Sequence, residues 1–480
     1  MTREFTKKNT DSSLSPLPAD DTIIAVSTPA GRGAIGVIRI SGPLTETILS
    51  KLCVQKSISS HKSISNKSIS KFPPRKSILV TFIDKHGEFI DEGLATFFPG
   101  PKSYTGEDVA ELSFHGNPII LRTFTLEAIE ISGIRPAEPG EFTRRAFLNN
   151  KLDLTQAEAV SRIIDAKSEY EINAGRKMLK GELGRILSRF RSAMISLKAE
   201  TEAEVDFSTE DLTFENREER IRKINEITGE IETILEKSAS ASRIVGGFRI
   251  AIVGLPNAGK SSLMNAMLGW DRAIVSPVAG TTRDYLSEDM EIDGVAVKFI
   301  DTAGLRSTSD EIEKEGVRRS RGEIQKSNII LHVIDSASEK FDSIDDIREL
   351  MGDARVIHVF NKSDLKENEK NKFDTDPDEA IFISCKTGKN MAELKEKIRK
   401  IIFMDPSAKD PLLLEERHRY HFNRIKSALE NVISLWNENA PDEIAAVEID
   451  TALAHAGEIT GKISTEEVLG RIFSMFCIGK

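Results

Sequence analysis

The residues with the plainest chemistry lie in the second half of the chain. Gly254, Leu255, Pro256, Asn257, Ala258, Gly259, Lys260 and Ser261 follow an apolar run, Phe248–Val253, and open a helix-like segment at Ser262–Leu268. This spacing turns backbone N–H groups inward onto phosphate oxygens. Lys260 would then neutralise β/γ charge, and the Ser261 hydroxyl would ligate Mg²⁺. Asn257, Ala258, Gly259, Lys260, Ser261 and Ser262 are therefore expected to bind the nucleotide. Asp301, Thr302, Ala303 and Gly304 close a second apolar run. There Asp301 would hold Mg²⁺ through water, and the Gly304 N–H would touch the γ-phosphate. Asn361, Lys362, Ser363 and Asp364 close another run, and the Asp364 carboxylate can accept from N1–H and the 2-amino group of guanine. Adenine lacks that donor pair, so GTP is expected over ATP. Ser384, Cys385 and Lys386 close the base pocket, with Cys385 as a small pocket residue of no redox role. Ser276, Pro277, Val278, Ala279, Gly280, Thr281 and Thr282 form a loop whose threonine can reach Mg²⁺ when the γ-phosphate is present. Together these elements describe a GTP-hydrolysing enzyme.

One substitution bears on mechanism. Ras-type enzymes carry a water-orienting glutamine directly after the Asp-Thr-Ala-Gly element. Here that residue is Leu305, which cannot orient water.

Elements to position these residues are legible in the apolar periodicity. Strand-like runs at Phe248–Val253, Val295–Ile300, Ile329–Ile334, Val356–Phe360 and Ile381–Ser384 alternate with helical stretches, as in a doubly wound parallel sheet. Helical composition dominates from Glu141 to about Ser240 and again from Leu412 to Lys480. Ile221, Ile224, Ile227, Ile231 and Ile234 recur at three- and four-residue steps, which marks a core-facing helix stripe. The helices on either side of the nucleotide domain are expected to pack together, making that domain an insertion. Before residue 140, short β-like runs and a helix over Asn117–Ile131 describe an α/β domain. The divisions expected are a disordered tail at 1–20, an N-terminal α/β domain at 21–139, a helical domain at 140–244 and 405–480, and a Ras-like doubly wound domain at 245–404. Residues 56–70 repeat Lys-Ser-Ile-Ser and are expected to form a polar surface loop.

Composition narrows the class. The 480 residues exceed one core, and the net charge of −10 argues against a generally basic nucleic-acid coat, though not against a local RNA patch. Three scattered cysteines favour a reducing cytosol over a disulfide framework. No apolar run is long enough for a bilayer, so a cytoplasmic protein without a membrane partner is expected.

Several blocks outside the nucleotide motifs resemble the MnmE (TrmE) family of tRNA-modifying GTPases. They are Thr28–Gly33 with Arg39–Gly42, Ser103–Asp108, Pro139–Asn149 with Lys151–Leu154, and the terminal Phe476–Lys480. The resemblance covers nearly everything from Asp21 to Lys480. It implies an N-terminal domain that dimerises and binds a tetrahydrofolate one-carbon carrier (5-formyl or 5,10-methylene type), with Arg39, Glu111, Lys151 and Lys480 around it. It implies a homodimer, a heterotetramer with the flavoprotein MnmG (GidA), and modification of C5 of a tRNA wobble uridine. It further implies K⁺ held by Asn257, Ser276, Val278 and Thr281, Mg²⁺ held by Ser261 and Thr282, Glu313 as the group that orients water, and a role for Cys477 in modification. An alternative is a regulatory GTPase switch in ribosome assembly, resembling Era. The nucleotide motifs alone fit both readings. The N-terminal block and the Cys-Ile-Gly-Lys end favour the first, because a pure switch needs neither.

Overall fold

The computed structural model describes residues 21–56, 66–68, 71–206, 217–245, 247–268, 287–301, 326–338, 354–365, 379–404, 411–462 and 466–479. Its strands are β1 (Thr22–Val26), β2 (Ile35–Ser41), β3 (Cys53–Lys56), β4 (Asn66–Ser68), β5 (Ile78–Ile83), β6 (Phe89–Phe98), β7 (Val109–His115), β8 (Ile134–Pro136), β9 (Phe248–Val253), β10 (Ser287–Ile292), β11 (Val295–Asp301), β12 (Ile329–Asp335), β13 (Arg355–Asn361) and β14 (Ala380–Phe382). Its helices are α1 (Thr45–Leu52), α2 (Pro118–Ile129), α3 (Glu141–Leu148), α4 (Leu154–Asp165), α5 (Glu169–Leu179), α6 (Glu182–Asp206), α7 (Arg217–Val245), α8 (Lys260–Leu268), α9 (Met391–Ile402), α10 (Glu416–Asn437), α11 (Asp442–Thr460) and α12 (Glu466–Ser474). The chain divides into two compact units. One contains residues 1–164, 178–224 and 420–480; the other contains 165–177 and 225–419.

In the first unit an eight-stranded sheet runs in the order β4-β3-β5-β6-β7-β2-β1-β8. Its pairs are antiparallel except β1 with β8. Strand alternation sends Ile38 and Ile40 into the core with Ala110 and Leu112. Arg39 and Glu111 therefore share the opposite face, and they are direct cross-strand partners. Phe82, Phe114 and Phe124 fill the core between this sheet and α1 and α2, with Phe82 stacked on Phe114 at 3.9 Å between centroids. The Asn117 side chain caps α2 by accepting from the Ile119 N–H. The Lys-Ser-Ile-Ser stretch departs from the expected loop, because residues 66–68 add an edge strand to β3. An edge ladder is made by backbone groups, which a polar repeat supplies as well as an apolar one. Residues 1–20, expected as a disordered tail, lie outside the described residues.

The helices of this unit pack α6 against α11. The buried Arg220 guanidinium lies 5.0 Å over the Trp436 ring and pairs with Glu204. Arg217 reaches the Trp436 carbonyl, and the Trp436 indole N–H donates to Asp442 at 2.8 Å. Segments that precede and follow the nucleotide motifs in sequence thus form one helical body.

The second unit holds a six-stranded sheet, β10-β11-β9-β12-β13-β14. The five expected strands are parallel, but β10 runs antiparallel to β11 at the edge, so the sheet is mixed. The Ser287–Ile292 segment reads SEDMEI; only Met290 and Ile292 are apolar, and both are buried. A half-buried edge strand of this kind carries too little apolar signal to be seen beforehand. Along α7, Ile224, Ile227, Ile231 and Ile234 of the expected stripe are buried, and Ile221, one turn from the helix start, is half-buried. Among the described residues no helix is long and apolar enough to cross a membrane.

Candidate functional site

The described residues of the nucleotide motifs lie at the carboxyl ends of the parallel strands, where doubly wound sheets bind ligands. The loop after β9 turns through Gly254 at φ +145°, Asn257 at φ +65° and Gly259 at φ +100°. A Cβ on Gly254 would lie 2.2 Å from the Val333 carbonyl oxygen, and one on Gly259 would lie 2.2 Å from the Asn361 amide nitrogen. Both glycines are thus required by close approach. Lys260 Nζ donates to the Gly254 and Leu255 carbonyls at 2.9 and 3.1 Å, which folds it back over the loop.

Asn361, at the end of β13, holds this loop to the base side. Its amide nitrogen donates to the Ala258 carbonyl at 3.1 Å, and its amide oxygen accepts from the Cys385 N–H at 3.2 Å. Lys362, at φ +64°, donates to the Asn257 carbonyl at 2.8 Å and to Asp335 at 2.6 Å. Asp364 is exposed, and its carboxylate accepts from the buried Ser384 hydroxyl at 2.6 Å. That hydrogen bond, with a backbone N–H and the charges of Lys386 and Lys389 in support, holds the carboxyl below its ordinary range, so it is ionised at neutral pH. Burial pushes the Cys385 thiol up to about 11, so it stays protonated.

The structure therefore brings together Asn257, Ala258, Gly259, Lys260, Asn361, Lys362, Ser384 and Cys385, with Asp364 and Lys386 at the same end. Ser261 and Ser262 lie in the first turn of α8, and Asp301 ends β11 beside β9. Ser276 to Thr282, Thr302, Ala303, Gly304 and Glu313 lie outside the described residues. Asp335, the partner of Lys362, was not singled out from sequence. Its signal was available: it ends the apolar run Ile329–Ile334 as Asp301 ends its own.

A second cluster lies in the first unit. Arg39 donates through Nε and Nη2 to Glu111 Oε1 at 3.1 and 2.7 Å. Its guanidinium lies 5.6 Å from the Tyr104 ring centroid and 5.8 Å from that of Phe142. Burial raises the Tyr104 phenol above its ordinary pKa, against a hydrogen bond with Thr143 and the nearby Arg39 charge. The end of the chain comes to this place. Arg39 Nη1 and the Ser27 hydroxyl donate to the Gly479 carbonyl at 3.3 and 3.1 Å, and Ile478 forms an antiparallel bridge with Pro139. Gly140 receives this tail: its N–H donates to the Cys477 carbonyl at 3.4 Å, its φ is +66°, and a Cβ there would lie 2.6 Å from the Phe473 carbonyl oxygen. Cys477 is exposed.

Buried charges fix α3 beneath the tail. Arg145 donates to Asp21, Glu107 and Glu141, and Arg135 reaches Asp21 and Glu141. Burial alone would raise the Glu141 pKa, but Arg135, the Glu138 N–H and Arg145 outweigh it, and the net shift is downward. Lys151 is placed by the Pro101 carbonyl, 2.9 Å away. Lys480 lies outside the described residues.

Comparison with known proteins identifies the family. The family model for the TrmE N-terminus matches residues 22–151, and that for the MnmE helical domain matches residues 154–477. The chain is 46% identical over 468 residues to the tRNA modification GTPase MnmE of Leptospira interrogans, covering 96% of this chain and 100% of that protein. It is 38% identical over 464 residues to MnmE of Aquifex aeolicus, with the same coverage. Among solved structures, a variant of Aquifex aeolicus Era bound to GDP and aluminium fluoride matches 38% of this chain and 66% of its own at 28% identity, with a TM-score of 0.26. Family models matched over residues 22–151 and 154–477, and curated relatives at 38–46% identity over 96% of the chain, make this protein a member of the MnmE family of tRNA modification GTPases.

Proposed function

We propose that the chain hydrolyses GTP in the course of building an aminomethyl-type group, carboxymethylaminomethyl included, on C5 of a tRNA wobble uridine. The observation that carries this reading is the docking of the chain's end, through Gly479, on the Arg39–Glu111 pair, which a bare GTPase switch has no use for. A tetrahydrofolate carrier fits the chemistry there. A carboxylate such as Glu111 can accept from pterin N–H groups, and Arg39, Lys151 and Lys480 suit the carrier's carboxylates. Bound, the carrier would supply the one-carbon unit. Cys477, exposed beside this cluster, would act in modification as nucleophile or positioning group. The five-part division at 20/21, 139/140, 244/245 and 404/405, the homodimer, the flavoprotein partner MnmG and a cytoplasmic location belong to the same reading. Mass spectrometry of wobble nucleosides from cells lacking the protein tests it; unchanged uridine modification would sink it.

For hydrolysis, positive charge must be found where other GTPases use an arginine finger. K⁺, held by the Asn257 side chain, Thr281 and the Ser276 and Val278 carbonyls, would supply it. Among the described residues, exposed Asn257 is held through its main-chain carbonyl by Lys362, which leaves its side chain available. Ser261 and Thr282 would hold Mg²⁺, and Glu313 would orient the water. Replacing K⁺ by Na⁺ at equal ionic strength is expected to slow hydrolysis on the order of 10³-fold, the low end of what an arginine finger contributes. Asn257→Ala should erase the difference between the salts, and Glu313→Ala should slow turnover without weakening GTP affinity. Equal rates in the two salts would rule out the ion.

A further inference from the structure

Five cations line one cavity of the first unit that neither site above uses as a whole. The cavity measures about 920 Å³, and Lys151, Lys180, Arg185, Arg191 and Lys462 stand on its wall with one carboxylate, Asp153. They come from three places in the chain. Lys151 precedes α4; Lys180, Arg185 and Arg191 lie at and along the start of α6; Lys462 follows the last turn of α11. Arg185, Ser188 and Arg191 recur every three residues, so α6 turns one face to the cavity.

Three glycines let these segments meet. A Cβ on Gly184 would lie 2.5 Å from the Asp153 carboxylate, and one on Gly461 would lie 2.7 Å from the Phe147 ring. Gly181 takes φ +75° in the turn before α6.

The charge balance is one-sided. Asp153 Oδ1 is occupied by the Thr155 hydroxyl and the Gln156 N–H at 2.6 and 2.8 Å, capping α4. Among the described residues Arg185 donates to the Lys180 carbonyl, and Lys151 to that of Pro101. Among the described residues none of the five has a carboxylate partner. Other basic side chains of the unit, Arg39, Arg135, Arg145, Lys198 and Arg217, are ion-paired. All five cavity cations are exposed. A small anion is gripped by a few buried donors, whereas a polyanion is met by several solvated cations spread along its path. The chain's net charge of −10 gives no general attraction for polyanions, so a local patch has to provide it.

We propose that this cavity docks the phosphodiester backbone of the tRNA substrate, through Lys180, Arg185, Arg191 and Lys462, with Lys151 at its rim. The proposal rests on the tRNA reading above and adds where the RNA is held. Phosphate contacts of this kind position the nucleic acid without reading its bases.

The test is a salt titration of tRNA binding to the full-length protein, using an unmodified tRNA transcript. The triple variant Lys180→Gln, Arg191→Gln, Lys462→Gln should bind at least tenfold more weakly near 0.1 M salt, roughly as expected for three lost phosphate contacts. The slope of log K against log salt should fall by about 2, at some 0.7–0.9 per contact. A charge-conserving variant, Lys180→Arg, Arg191→Lys, Lys462→Arg, should restore both. GTP hydrolysis without RNA should match wild type in each, reporting a folded chain. Unchanged affinity and slope in the glutamine variant, with wobble modification intact, would overturn this site and leave the function standing. Loss of polyglutamylated folate retention without loss of tRNA binding would also overturn it, by assigning the cations to carboxylates. A wild-type protein that binds no tRNA would remove both the site and the function it rests on.

Discussion

Replacing Asp364 by asparagine is expected to raise the Kd for GTP by about 10²–10⁴-fold and to admit xanthosine triphosphate. The ionised carboxylate is an acceptor only, and guanine offers it two N–H donors. A hydrogen bond to a charged group contributes about 1.5–3 kcal/mol, so the pair accounts for that range. Asparagine turns one acceptor into a donor, which opposes the guanine 2-amino group and suits the carbonyl that xanthine carries there. The substitution is otherwise mild: Asp364 is exposed, and an amide oxygen can still accept from the Ser384 hydroxyl. Competition between GTP and xanthosine triphosphate for a fluorescent nucleotide measures the effect. Unaltered GTP affinity would mean that the base is read elsewhere.

Gly140→Val is expected to abolish wobble-uridine modification while GTP hydrolysis continues. A branched side chain at φ +66° costs roughly 1–2 kcal/mol in backbone conformation alone. The added Cβ would also sit 2.6 Å from the Phe473 carbonyl oxygen, on the backbone that leads into the tail. The end of α12 and Phe476–Gly479 would be pushed off the Pro139 bridge, and Arg39 would lose the Gly479 carbonyl. Arg39→Ala attacks the same place from the other side, and loss of a co-purifying reduced folate with GTPase intact is its expected signature. Should Gly140→Val modify tRNA normally, the docked tail would be a packing detail with no part in the reaction.

How much of this was legible beforehand follows the range over which each feature is encoded. The phosphate loop and Asn361–Asp364 are written in consecutive residues; β9, β12 and β13 are buried over most of their length and read as apolar runs, and β11 is carried by the buried Val295, Val297 and Phe299 although Lys298 is exposed. Strand β10 escaped because an edge strand buries one side only. Asp335 escaped because its role depends on Lys362, 27 residues away and on the neighbouring strand. The Arg39–Glu111 pair came from family resemblance and could not have come from spacing: a register of antiparallel strands joins residues 72 apart. The network of Asp21, Glu107, Glu141 and Arg145 is longer-ranged still. In sequence these are ordinary charges, and only the fold shows that Glu141 and Arg145 are buried and paired with each other and with the half-buried Asp21 and Glu107.

The return of the last residues to the first strands has a consequence for how the protein comes into being. Ser27 and Arg39 leave the ribosome early, but their partner Gly479 follows them by 452 and 440 residues. The Arg39 cluster therefore cannot be completed until residue 479 has emerged, whereas the GTP loop can close as soon as β14 has emerged. A chain cut short by a nonsense codon or a nick near its end would keep its nucleotide chemistry and lack the other half.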